Sequence, residues 1–188
     1  MNISPEEAQE ALAVIRQTTN KMRKGHGYVG YYLMIWGGVW FVGFMVSQYL
    51  QSNSVLVGWT WGGLVLAAWV GCTVLGIKQG KYIRSQIGPR VGFFYLALFA
   101  FTALWYVLLM PQNTRQGVIF FISIIMFAGV VIGIFSRNLS TVIGSVSVML
   151  LAVIGYYLLP AYFYLWEAIF GGLAMFAIGL VLRFWRWR

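Results

Sequence analysis

Glu167, in the stretch YLWEAIFGG, is the only acid after Glu10, and the 188-residue chain contains no aspartate. A carboxylate set in an apolar run can bind a cation or an amine, carry a proton, or pair with a base such as Arg115. It can also stay protonated against a tyrosine such as Tyr162 or Tyr164, or reach back to the membrane interface. The other chemically active residues are solitary. His26 stands between two glycines in KGHGY, with no second histidine, cysteine or acid at ligand spacing, and Cys72 is the single thiol. General acid–base work needs at least two positioned titratable groups, and a Ser/His/Asp triad needs an aspartate. Two axial histidines for haem are likewise unavailable. The sequence therefore predicts no enzyme, no metal site and no cofactor, and leaves Glu167 and Arg115 as candidate intramembrane functional residues.

These residues sit in a chain that is 61% hydrophobic and 9% charged, against about 25% charged in ordinary soluble domains. Runs of about 20 apolar residues cross a bilayer, and six can be marked off: Tyr28 to Leu50, Val55 to Ile77, Val91 to Met110, Gln116 to Phe135, Leu139 to Leu159 and Ala161 to Leu182. The expected fold is an all-α membrane protein, a bundle of six transmembrane helices. Three parts follow: a cytoplasmic amphipathic helix over 1–27, the transmembrane domain over 28–182, and a basic, Trp-rich interfacial tail over 183–188. If the last span starts at Ala161, Glu167 lies about 9 Å inside the boundary at 1.5 Å per residue.

Lys and Arg mark the sides. Arg16, Lys21, Arg23 and Lys24 precede the first span; Lys78, Lys81, Arg84 and Arg90 fill the second loop; Arg137 and the tail bases Arg183, Arg186 and Arg188 follow, all on one side. Arg115 is the lone base opposite. Positive loops stay in the cytoplasm, so both termini are expected there, in a bacterial inner membrane. The net charge of +9 thus reads as orientation and contact with anionic lipids, not as nucleic-acid binding. Lys78, Lys81 and Arg84 share one helix face, and the tail bases alternate with Trp185 and Trp187, so Lys78, Lys81, Arg84, Arg183 and Arg186 are the candidate lipid or partner contacts.

The opening SPEEAQEALAVIRQTTNKMRKG carries signals for both ends of a helix: Ser4 as cap, Pro5 at the first position, Glu7 in a capping box, and Gly25 as the stop. Ala8, Ala11 or Leu12, Ile15, Thr18 and Met22 form a narrow apolar stripe. A helix this weak alone rests on the membrane or docks to a partner.

Within the spans, Tyr28, Tyr32, Trp36, Trp40 and Phe44 recur every fourth residue. Each step advances about 40° around the helix, so the ridge winds, and only two adjacent rings, with Trp36 and Trp40 as candidates, are expected to line a pocket. Gly58 with Gly62, and Gly129 with Gly133, make GxxxG pairs expected to pack helix on helix or to mediate homo-oligomers. A faint echo between the ends of odd spans and of even spans groups them as three hairpins. Scattered serines and threonines, which can bond their own helix backbone, disfavour a wide aqueous pore. The leading expectation is a non-enzymatic membrane protein acting on a partner as an accessory or scaffold, through its N-terminal helix and basic loop. The alternative is a small transporter or channel component for an apolar, aromatic or cationic solute, with Glu167 as coupling group.

Overall fold

A computed structural model of the chain describes residues 5–82 and 87–185, all helices and short turns, with no strand among them. Five long helices come first: α1 (Pro5–Tyr49), α2 (Ser54–Tyr82), α3 (Ile87–Leu109), α4 (Thr114–Phe135) and α5 (Leu139–Leu158). The sixth span is composite. It opens with α6 (Phe163–Trp166), widens into a π-helical stretch Glu167–Leu173, returns to α7 (Ala174–Leu180), and ends in a second π-helical stretch Val181–Trp185. Six segments are long and apolar enough to cross a membrane, starting at Val29, Ser54, Arg90, Thr114, Leu139 and Phe163. The chain is a six-span, multi-pass membrane protein.

The first expectation to fail is the stop at Gly25. The described helix runs without a break from Pro5 to Tyr49, 45 residues in all. Glycine inside a helix costs only about 1 kcal/mol, and it terminates one when it adopts a left-handed conformation. No described glycine has positive φ. The part before Val29 therefore continues the first span for about 36 Å at 1.5 Å per residue, instead of lying separately along the surface. Ser4 is outside the described residues, as are the side chains of His26 and Tyr28. At the other end, helical backbone continues through Trp185.

The tightest pairings join α1 to the sixth span and α4 to α5; α1 also leans on α2, whereas α3 touches only α4 closely. The spans are thus not grouped as three hairpins. The reason is local at the first of these contacts. A Cβ on Gly30 would stand 2.7 Å from the carbonyl oxygen of Gly179, and one on Gly37 would stand 2.8 Å from that of Gly172. On each helix the two glycines are about two turns apart, so they fall on one face and match in antiparallel register. Backbone meets backbone there, which is how helices associate where lipid removes the hydrophobic drive.

The same contact is sealed at its outer end by Gln48. Its Nε2 donates to the Ala161 carbonyl at 3.0 Å, and its Oε1 accepts from the Leu165 amide at 3.2 Å. Tyr162, preceding α6, offers no side-chain cap, so a residue of α1 satisfies the orphan amide instead. Trp166 ties this span to α5 by donating from Nε1 to the Leu151 carbonyl at 2.9 Å.

The close approach separates two neighbouring glycines. Gly38 has nothing within 4 Å of its missing Cβ. Thermal unfolding in detergent should show Gly37→Leu losing about 1–3 kcal/mol by overpacking, while Gly38→Ala gains about 0.5–1 kcal/mol from helix propensity. Equal effects at both positions would remove the close approach from the account.

Candidate functional site

α2, which leans on α1, and α3 are the least buried spans, with 6% of the most apolar stretch of each buried. Between them and the α1–sixth-span core lies a cleft of about 740 Å³, within the range of small-molecule sites. Its α1 wall carries Trp36, Trp40 and Phe44. Three consecutive rings of the ridge therefore share one cavity, where the winding argument allowed two. They span only about 80° of helix surface, and a concave cleft accepts what a flat platform does not. Phe44 meets Trp40 edge-on at 5.7 Å and Trp61 of α2 at 5.0 Å.

Deeper in, Phe99 of α3 sits 5.6 Å from Trp69 of α2 and 5.7 Å from Phe121 of α4. These three lining residues form an aromatic cluster across three helices. Near the mouth, Tyr106 lies on Gly117, where a Cβ would stand 2.7 Å from its ring. Ser47, Gln51, Ser54 and Thr114 put polar groups at this outer end. Ser47 is already used: its Oγ accepts from Trp61 Nε1 at 2.9 Å and donates to the Gly43 carbonyl at 2.8 Å.

Gly58 and Gly62 also line the cleft, with nothing within 4 Å of either missing Cβ. Within the chain no helix closes on this pair, which leaves room in a cavity instead. Gly133 and Gly129 do sit at a helix contact. A Cβ on Gly133 would stand 2.9 Å from the Val142 amide nitrogen of α5, and Gly129 lies against the Ser145 hydroxyl.

Glu167 is 2% exposed, and its Oε1 has no hydrogen-bond partner. Because α6 begins at Phe163, the side chain stands about 6 Å from the helix start instead of 9 Å. It is nevertheless buried, because its π-helical turn packs against both α1 and α5. The missing Cβ of Gly171 would lie 3.4 Å from Glu167 Oε2 and 3.0 Å from the Trp40 ring. Trp40 thus has the cleft on one side and the surroundings of the carboxyl group on the other. Arg115 does not pair with Glu167; its Nη1 donates to the Pro160 carbonyl at 2.7 Å.

The basic residues are less gathered. Lys78 is exposed, while Arg84, Arg186 and the side chain of Lys81 lie outside the described residues. Arg183 does not extend freely into the interface. It is partly buried against α1, 4.9 Å over the Tyr31 ring. Thr60, Thr73, Thr102 and Ser123 each bond the carbonyl four residues back on their own helix, so they offer little to a polar path.

Sequence reasoning missed Trp61, Trp69, Phe99, Tyr106 and Phe121. In a chain that is 18% aromatic, nothing singles them out before three helices bring them together. Among the described residues no three His, Cys, Asp or Glu side chains cluster as metal ligands. No family model matches the chain, and neither does any curated protein or solved structure.

A buried carboxyl group with an unpaired oxygen is a stability liability. Glu167→Met, which fills the space without the polar atoms, should raise stability by about 1–3 kcal/mol, read as a higher unfolding temperature in detergent. A lower temperature would mean that the carboxyl group makes a contact essential to the fold.

Proposed function

We propose that this is a non-enzymatic membrane protein that binds a small apolar or aromatic molecule in the cleft between α1, α2, α3 and α4. The observation that carries the reading is the cavity itself: about 740 Å³, walled by aromatic rings from four helices, with polar groups confined to one end. Such a lining suits a ligand with an apolar body and a polar tip. From Ser54 to Trp69 the cleft follows α2 for about 22 Å, enough for a molecule that occupies one leaflet of a hydrocarbon core about 30 Å thick. The absence of catalysis rests on the sequence, where Glu167 and His26 lack partners for proton exchange. A transport role would build on the same cleft, with Glu167 behind Trp40 as the group that senses occupancy.

Gly62 supplies a clean test, since a side chain there enters the cleft without meeting protein. Native mass spectrometry of the protein extracted from its membrane should show a retained small molecule, and Gly62→Leu should lower its occupancy at least several-fold without lowering the unfolding temperature. Undiminished occupancy in the variant would overturn the reading.

A second reading has its own observation. α1 extends beyond the bilayer with Leu12 54% exposed, and a projecting helix with apolar positions suits a partner protein as an accessory or scaffold surface. A photo-crosslinking amino acid at position 12 should then form one discrete heavier adduct in native membranes. Failure to form any protein adduct would remove this surface from the function.

A further inference from the structure

A second cavity, of about 420 Å³, adjoins the mouth of the cleft and shares Gln51, Thr114 and Tyr164 with it. Its character is opposite. Asn113 and Arg115 complete its polar wall, and the Pro160–Ala161 turn closes it. Arg115 is the one base on its side of the membrane by sequence, and the short connections around it, Leu50 to Asn53, Met110 to Asn113 and Leu159 to Tyr162, contain no acid. The guanidinium is fixed by its 2.7 Å bond to the Pro160 carbonyl. That bond uses one of five N–H donors, and their planar fork suits phosphate oxygens.

Resting on the cleft reading above, we infer that the joined cavities hold one anionic phospholipid of the leaflet on the Arg115 side. Its phosphate lies against Arg115 and the polar wall, and one acyl chain lies in the aromatic cleft. The charge decides the class. An unneutralised cation beside an apolar channel complements a head group with net negative charge, whereas a zwitterionic head brings an ammonium group toward the same guanidinium. The dimensions decide the rest, since the cleft is as long as an acyl chain needs and its far end is lined by the aromatic rings of Trp69, Phe99 and Phe121.

The test uses the full-length protein in detergent with equal amounts of phosphatidylglycerol and phosphatidylcholine bearing the same chains, read by native mass spectrometry. The basic side of the protein also attracts anionic lipid, so the informative species is the adduct that Gly62→Leu removes. In the wild-type protein that adduct should be phosphatidylglycerol by several-fold over phosphatidylcholine. Arg115→Lys, which keeps the charge, should preserve the preference, and Arg115→Gln should reduce it to near parity while the adduct itself persists. A preference unchanged in Arg115→Gln, or absent from the wild type, overturns the head-group assignment and leaves the cleft standing. Adducts insensitive to Gly62→Leu overturn the cleft reading itself.

Discussion

Everything in this bundle is arranged around the place where α1 and the sixth span touch without side chains. Gly30 faces Gly179 and Gly37 faces Gly172 at distances that no Cβ would tolerate. Inside a bilayer, where apolar surface gains nothing by leaving lipid, such contacts are favoured because dispersion and weak C–H···O bonds grow steeply as backbones approach. The glycine pairs fix register as well as distance. Gln48 can then reach Ala161 and Leu165 to cap the incoming helix, and the π-helical turn that bears Glu167 is pressed against α1 and α5.

A contact that close leaves the other helices to arrange themselves around it. α4 and α5 pack on each other through Gly129 and Gly133, and α2 is held to α1 by long side chains, Trp61 to Ser47 and Tyr32 to Gln79. Aromatic side chains hold helices apart where glycines draw them together. The cleft is the space that results, bounded by rings on all four helices and widened on α2 by the missing side chains of Gly58 and Gly62. Trp40 belongs to both environments. It lines the cavity and stands beside the buried carboxyl group, so anything that displaces this ring alters the surroundings of Glu167.

The membrane character, the number of spans and their limits to within a few residues were legible from hydropathy and length. Hydropathy sums along the chain and needs no partner. Glu167 was legible as an isolated acid in an apolar run, and Arg115 as the lone base on its side. Gly25 misled because its type alone suggested a stop, while helix termination depends on its conformation. Gly58 and Gly62 meet no helix of their own chain, because a GxxxG spacing says that a helix can be approached, not which one does so.

By itself the sequence determined a six-span membrane protein with one buried-acid candidate and few groups for catalysis, since composition and periodicity are properties of each segment alone. Only the tertiary structure decided which glycines meet, that Glu167 faces helices instead of lipid, and that rings from four helices line one cleft beside the Arg115 cavity. Those facts depend on pairings between residues far apart in the chain. In an environment that rewards shape over hydrophobicity, such pairings are chosen by fit across the whole bundle.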